Sequence, residues 1–464
     1  MSPARDGKAE CFAVRRGDLH GKQIGVALYA PIIRQFIERL RKSPLTRGQL
    51  KQFVDINPPV CIEHLKPESL VSFLPMEAVG DKATGEIAPY TRPLAEVAKG
   101  FTPFAEGDVI WAKITPCMQN GKTAVARNLT NSIGYGSTEF HVFRPKTSDT
   151  LAGYVWEFLS QQSLLIVAKA SFTGSAGQQR VSSDFLESLP FPLPSKDKQR
   201  VLVAKMSVAR VARATKLHEA DVLLAGLDSF LIQTLGLTPP AKDERRVFAV
   251  LRTEMQRQRH LNPDYFHPER ILALRAMELA SRHIVHKRLG DAADFIRDQI
   301  KTPGPNYLSL GHVQSNTGEL VASEEESSGA CLTFKENDVL FTRLRPYLNK
   351  VYRAEKAGCC STEFHVLRTR DMKTLRPDYL AAILRSSLIL AQTRHMMTGN
   401  THPRLTNEDV VSLVIPIPKI TDQETIVTEA RRRREEARRL RIEAESGWES
   451  AKRWFEEQLL GGTK

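Results

Sequence analysis

Apolar and polar positions along this chain follow one pattern, and the pattern is written twice. In each half an amphipathic stretch (26–40; 268–280) precedes short alternating segments rich in Val, Ile, Phe and Gly. Alternation with period two, broken by turn residues, predicts short strands. A helical periodicity follows (152–170; 377–396), then a small polar loop, then a Pro-punctuated segment (189–194; 414–418) that cannot continue a helix and reads as the exit from a globular domain.

Beyond each exit the period changes to that of a long helix. In the second half Ile426, Ala430, Arg433, Ala437, Leu440, Ala444, Trp448, Ala451, Phe455 and Leu459 recur at steps of three and four residues, the seam of a coiled coil. Leu202, Met206, Ala220, Leu224, Leu227, Leu231 and Leu235 take equivalent places in the first half. The run Arg431–Arg434 followed by Glu435 and Glu436 reads as a solvated face with i,i+4 ion pairs. A helix over 196–235 is about 60 Å long. The eleven residues 236–246 that follow span at most about 36 Å. Parallel helices would oblige the chain to return the full length, so an antiparallel pair is predicted.

The duplication is also literal. Ser137, Thr138, Glu139, Phe140, His141 and Val142 return unchanged 224 residues later as Ser361 to Val366. The same offset carries Arg180 onto Arg404, Leu189 onto Leu413 and Gln199 onto Gln423, while 107–116 returns as 337–346 at an offset of 230. Two copies of so long a period predict a duplicated α+β domain in pseudo-two-fold arrangement, with the two long helices between, not a repeat array. The expected organisation is a first domain over 1–195, a central long helix over 196–245, a second domain over 246–419 and a C-terminal long helix over 420–464.

Composition narrows the function. A chain of 464 residues with 41% hydrophobic and 26% charged residues is globular, and its surplus of 66 Lys and Arg over 53 Asp and Glu, a net +13, favours a polyanionic partner. There is no apolar leader and no run of about 18 apolar residues, so a cytoplasmic protein is expected, with no membrane partner. The six cysteines form no C-x-x-C pair, which argues against structural zinc and for small buried hydrophobes.

Candidate chemistry thins out on inspection. Asn57, Pro58, Pro59 and Val60 resemble the Asn-Pro-Pro-aromatic motif of amino-methyltransferases, but valine cannot stack on a flipped base, and a turn before a strand is the better reading. Asn120, Gly121, Lys122 and Thr123 look like the end of a phosphate loop, but Pro116 stands where its first glycine belongs, so a hairpin turn is expected. Asp108 and Lys113 suggest a nuclease core, but Trp111 occupies the position of the second carboxylate. His141 and His365 lack an identifiable nucleophile or acid and read as structural. What remains is a pair of polar, glycine-bearing loops, with candidates Thr173, Ser175, Gln178, Gln179 and Arg180 in one and Thr398, Asn400, His402 and Arg404 in the other. Gln, Asn and Arg read base edges bidentately, and glycine lets a backbone approach phosphate. A polar helix cap is the competing reading. Against it, the frame around the loop is kept between copies while the interior differs.

The segments 112–122, 136–142 and 173–181 resemble the target-recognition domains of type I restriction-modification specificity subunits, and Gln199, Gln423 and the long helices resemble their spacer regions. The resemblance implies a non-catalytic subunit whose two domains each read half of a bipartite site in double-stranded DNA. It implies methyltransferase subunits docked on the spacer helices and a motor-nuclease subunit. S-adenosylmethionine, ATP and Mg are expected in those partners and no cofactor in this chain. It adds Lys113, Thr115, Asn120 and Lys122, with their counterparts Arg343, Arg345, Asn349 and Lys350, to the DNA-binding candidates. The alternatives are a recognition component of another phage-defence complex and a single-chain methyltransferase or nuclease. On the first reading the purified chain neither binds S-adenosylmethionine nor modifies or cuts DNA. Calorimetry showing donor binding that is lost when residues Asn57 to Val60 are changed would overturn it.

Overall fold

The computed structural model describes residues 30–173, 179–238, 247–258, 263–280, 284–304, 306–325, 329–397 and 401–462. The chain divides into one unit of residues 1–216 with 443–464 and a second of residues 217–442.

In the first unit the helix Pro31–Lys42 turns Ile33, Phe36 and Leu40 inward, the spacing of one helical face. The strands are β1 (Thr46–Gln49), β2 (Val54–Ile56), β3 (Leu70–Leu74), β4 (Tyr90–Pro93), β5 (Thr102–Ala105), β6 (Val109–Ala112), β7 (Thr123–Val125), β8 (Ile133–Gly136), β9 (Phe140–Pro145) and β10 (Pro190–Pro192). One sheet runs β2-β9-β6-β7 and is antiparallel throughout. A second runs β4-β3-β8-β5, with β3 and β8 parallel, and β1 pairs with β10. Every residue of β6 is buried because this sheet is covered on both faces. Val109, Trp111 and Phe143 face a core shared with the helices, while Ile110, Ala112, Phe140 and Val142 face Leu74 and Phe104 of the second sheet. The period-two alternation here separates two cores, not core from solvent.

The second unit repeats the plan. Its strands are β11 (Val285–Arg288), β12 (Ala293–Ile296), β13 (Gln299–Ile300), β14 (Tyr307–Leu308), β15 (Cys331–Phe334), β16 (Val339–Thr342), β17 (Val351–Arg353), β18 (Gly358–Ser361), β19 (Phe364–Thr369) and β20 (Val414–Ile417). The order β12-β19-β16-β17 matches β2-β9-β6-β7, and the parallel pair β14 and β18 matches β3 and β8. The copies differ at the edge of the second sheet. Its fourth strand, β4, lies beside β3 in the first unit, whereas β13 lies beside β15, the counterpart of β5, in the second. Cys331, Cys359 and Cys360 are buried free thiols; Cys61 is exposed, Cys117 half-buried, and Cys11 lies outside the described residues.

The predicted helices over 152–170 and 377–396 are each broken in two, Ala152–Leu159 with Gln162–Ala170 and Pro377–Leu384 with Ser387–Thr393. Side chains end the first segment of each by taking its last carbonyls. Ser160 Oγ donates to the Trp156 carbonyl (2.6 Å), Gln161 Nε2 to that of Glu157 (2.8 Å), and Ser386 Oγ to that of Ile383 (2.6 Å).

Each long helix, Lys196–Thr234 and Ile420–Leu459, is joined to its sheet domain by one glutamine that is wholly buried. Gln199 Oε1 accepts from the Leu151 amide (2.9 Å), while Nε2 donates to the carbonyls of Asp149 (2.8 Å) and Pro194 (2.9 Å). Gln423 does the same with the Arg376 amide (2.9 Å) and the carbonyls of Thr374 (2.8 Å) and Pro418 (3.0 Å). Beside them Tyr154 and Tyr379 donate their buried hydroxyls to the carbonyls of Pro192 (2.6 Å) and Pro416 (2.8 Å).

The helices run antiparallel within each unit. In the first, Leu202 and Met206 share a core with Trp448, Ala451 and Phe455, and Arg213 and Lys216 meet Glu445 and Glu443, each at 2.7 Å. In the second, Ala220 packs on Ala437 and Leu440, Asp221 meets Arg441 (3.0 Å), and Leu231 shares a core with Ile426. The predicted seam residues of the C-terminal helix are buried, apart from Arg433, which is half-buried and donates to the Gly226 carbonyl (2.9 Å). The arginine run is not all solvated: Arg432 and Arg433 pair with Glu429, while Arg434 turns inward.

Replacing Gln199 or Gln423 by Leu keeps the volume and strands an amide and two carbonyls without partners. Each substitution should cost about 1–3 kcal/mol, chiefly from the buried proline carbonyl left without a partner. Urea midpoints measure this, and a loss below about 1 kcal/mol would show that the glutamine is not the joint.

Candidate nucleic-acid interface

Three backbone segments meet at the end of the β6–β9 ladder in the first unit. Lys113 donates its amide to the Glu139 carbonyl (2.9 Å) and accepts from Val181 (3.0 Å), and the Thr115 amide donates to the Gln179 carbonyl (3.1 Å). The segment 113–115 is thus held as a strand between the turn at Glu139 and the segment carrying Arg180. Side chains lock the same junction. Arg180 donates Nε to Glu139 Oε2 (2.8 Å) and Nη2 to Oε1 (2.7 Å), a fork that fixes orientation as well as distance.

The second unit builds the same junction. The Arg343 amide donates to the Glu363 carbonyl (2.7 Å), Leu405 to Arg343 (3.0 Å) and Arg345 to Pro403 (2.8 Å). Arg404 forks onto Glu363 with Nη2 to Oε1 at 2.7 Å and Nε to Oε2 at 3.0 Å. The repeated hexapeptide is explained by this geometry. Ser137 and Ser361 accept from the amides of Glu139 and Glu363, both at 3.2 Å, and so form the turn. The glutamate receives the arginine, the phenylalanine enters the inter-sheet core, and the histidine faces the opposite side.

His141 donates Nε2–H to the Val181 carbonyl (2.9 Å) and accepts at Nδ1 from Asn57 Nδ2 (3.2 Å), so its neutral form satisfies both nitrogens. Asn57, in the left-handed region at φ 55°, also accepts from the Val142 amide with Oδ1 (3.0 Å). The Asn-Pro-Pro motif is therefore a clamp on β9. Burial holds both His141 and His365 at a pKa of about 4, with Lys113 and Arg343 adding unfavourable charge.

The family described as the type I restriction modification DNA specificity domain matches residues 79–219 and again 292–429. The chain belongs to this family. The specificity subunits of the Escherichia coli type I restriction enzymes EcoEI and EcoAI are 36% and 35% identical to it over 158 residues. Those matches cover 34% of this chain and 26% of each relative, so the chain spans about a quarter of the length of the curated relatives it matches. A solved structure described as the basis of complex assembly and conformational transition of the type I R-M system shares the fold. Its TM-score is 0.53 at 16% identity, over 91% of this chain and 99% of that one.

Within this specificity-domain frame the candidate residues separate into two groups. Thr173, Asn120, Arg343 and His402 are exposed, and Lys113, Thr115, Gln179 and Arg345 are half-buried at the junction or its loops. Others are tied into the fold. Lys122 Nζ donates to the Val79 carbonyl (2.5 Å) and Lys350 Nζ, its pKa lowered by burial, to that of Leu310 (2.6 Å). Asn349 is buried and donates to Asn316 Oδ1 (3.2 Å) and the Arg385 carbonyl (2.8 Å). Ser175, Gln178, Thr398 and Asn400 lie outside the described residues. Sequence reasoning missed Glu139 and Glu363, although the identity of the hexapeptide in both copies was the signal, and it read Asn57 only as part of a turn.

The residues weighed for chemistry are also engaged. Asp108, 1% exposed, receives both arms of Arg144 at 2.7 Å, as Asp338 receives Arg368. The segment 113–122 forms the loop of the hairpin between β6 and β7. One group among the described residues, His267, Glu269 and His395, has metal-ligand chemistry. The two imidazoles stack at 3.5 Å with planes 8° apart, so one ion cannot lie in both ring planes, and Glu269 is already bound to Arg394 (2.7 Å).

The histidines make stability pH-dependent. Unfolded histidine takes up a proton near pH 6.5, whereas the folded chain resists until about pH 4, so stability falls as the pH drops from about 6.5 to 4 and levels off below. Each histidine should contribute on the order of 2–3 kcal/mol to that fall. Urea midpoints between pH 7 and 4.5 should show a shallower slope in His141→Gln with His365→Gln; an unchanged slope would refute the assignment.

Proposed function

We propose that this chain is the DNA-recognition subunit of a type I restriction-modification complex, each unit reading one half of a bipartite duplex site. The observation that carries this reading is the repeated junction: an identical Glu–Arg frame presents loops of different sequence, Thr173 to Gln179 and Thr398 to Pro403. A shared frame with divergent tips is what two readers of unrelated half-sites require. The net charge of +13 supports a polyanionic partner.

In this reading Arg180 and Arg404 position the loops through Glu139 and Glu363, and Asn349, Lys122 and Lys350 hold the frame. Contacts to bases and phosphates come from Lys113, Thr115, Asn120, Thr173, Ser175, Gln178 and Gln179 in the first unit, and from Arg343, Arg345, Thr398, Asn400 and His402 in the second. The helix Lys196–Thr234 offers a surface for a partner. Val201, Ala204, Val208, Val211 and Thr215 are exposed at heptad spacing within the first unit, a second seam besides the one already filled. Methyltransferase subunits carrying S-adenosylmethionine would dock there, and ATP and Mg would serve a motor-nuclease subunit. Among the described residues no helix is long and apolar enough to cross a membrane.

Three variants test the reading by binding to a library of duplex half-sites across salt concentrations. Lys113→Ala should weaken binding to all sequences alike and reduce the salt slope by about one. Arg180→Lys, which loses the fork, should cost about 1–3 kcal/mol at one half-site with the slope unchanged. Exchanging residues 41–190 for those of a related protein should change one half-site and spare the other. Altered preference in both halves, or none, would overturn the modular reading.

A further inference from the structure

The duplication allows one position to be compared with itself. Arg210 stands eleven residues beyond Gln199 on its helix, and Arg434 eleven beyond Gln423. Arg210 is neutralised where it lies. Its Nη2 donates to both oxygens of Glu157 (2.9 and 3.0 Å), a carboxylate 1% exposed, and its guanidinium covers the rings of Trp156 (4.2 Å) and Trp448 (5.2 Å).

Among the described residues Arg434 has no such hydrogen-bonded carboxylate or covering tryptophan. The glutamines bond the amides of Leu151 and Arg376, and this correspondence carries Trp156 onto Ala381, Glu157 onto Ala382 and Ser160 onto Arg385. The second unit thus replaces a tryptophan and an acid by methyl groups and adds an arginine. Two cavities of about 830 and 360 Å³ open there, and Ala382, Arg385 and Arg434 line both. Among the described residues Arg385 donates one bond, to the Val351 carbonyl (2.8 Å), and Arg434 Nε is buried without a hydrogen bond. Asp378 pairs with Arg353 (3.0 Å) and Glu319 with Arg441 (3.4 Å); both acids also favour the charged forms of Arg385 and Arg434 through space, and Glu355 and Glu435 are exposed. Burial and the charge of Arg434 hold Arg385 well below the usual guanidinium pKa. Two like charges set side by side in this way are stabilised by a dianion bound between them.

A guanidinium pair suits phosphate, whose charge and planar oxygen edges match two forks better than a single carboxylate does. The larger cavity exceeds what an inorganic ion fills, and Ala381, Tyr352 and Val427 give it apolar wall. We propose that this cavity binds a phosphate monoester on a compact organic body, its phosphate seated between Arg385 and Arg434 where the first unit keeps Glu157. Binding would tie the helix Ile420–Leu459 to Pro377–Leu384 in the second unit as Glu157 ties Arg210 in the first.

The test uses the full chain, with thermal unfolding and calorimetry in inorganic phosphate and in adenosine 5′-monophosphate, against chloride at equal ionic strength. Both probes should raise the melting temperature, the nucleotide at a concentration at least tenfold lower. Ala382→Glu, which supplies the missing carboxylate, should melt higher without ligand and ignore both probes, and Arg434→Met should also ignore them. Equal potency of the two probes would mean an adventitious ion only and overturn the organic-ligand assignment. No response in the unaltered chain, or the same response in both variants, would overturn the site. Should Ala382→Glu be stabilised while the unaltered chain ignores both probes, an acidic partner side chain is the occupant and the small-ligand proposal fails.

Discussion

The buried glutamine at the start of each long helix is the constraint from which the rest follows. A primary amide has a fixed arrangement of acceptor and donors, and with one amide and two carbonyls around it neither buried side chain, Gln199 or Gln423, can shift without losing a hydrogen bond. The joint therefore fixes the direction in which a helix leaves its sheet domain. Once that direction is fixed, antiparallel packing brings Arg213 and Lys216 to Glu445 and Glu443 in the first unit and Asp221 to Arg441 in the second. These pairs interrupt the apolar seam with charges of opposite sign. A register shift would break all three pairs, so they favour this alignment at little gain in stability.

Each sheet domain ends in a junction of the same kind. The fork between Arg180 and Glu139, and its counterpart between Arg404 and Glu363, closes a three-segment strand arrangement with charge-assisted bonds on half-exposed side chains. The arginine holds Glu139 below the usual carboxylate range. In both copies the frame is held by backbone bonds and one fork, while the loops between Thr173 and Gln179 and between Thr398 and Pro403 differ in sequence. The copies have diverged elsewhere too. The fourth strand has changed edges in the second sheet, and Trp156 with Glu157 has become Ala381 with Ala382.

Much of this was legible in residue order because its signals are local or repeated. The duplication, the strand-rich centre of each half, the proline exits and the seam from Ile426 to Leu459 are patterns of spacing, and heptad spacing allows few outcomes in water. The helices over 152–170 and 377–396 were overextended because periodicity cannot show that Ser160, Gln161 and Ser386 would turn their side chains onto the preceding carbonyls. The solvated reading of Arg431–Arg434 missed Arg434, which faces inward because the packing of the whole second unit sets the helix rotation.

The sequence by itself determined the twofold plan, the order of strands and helices, the antiparallel sense of the long pair and the family resemblance, because each depends on periodicity, on identity between copies, on the reach of a short linker or on contiguous motifs. Only the tertiary structure decided what individual polar residues do. Arg180 and Arg404 each stand 41 residues from the glutamate they grip, and Asn57 stands 84 from His141. Partners so far apart in the chain leave no spacing to read; they meet because a sheet brings distant strands within hydrogen-bonding distance, and the bonds then depend on ångström-scale geometry that residue order does not encode.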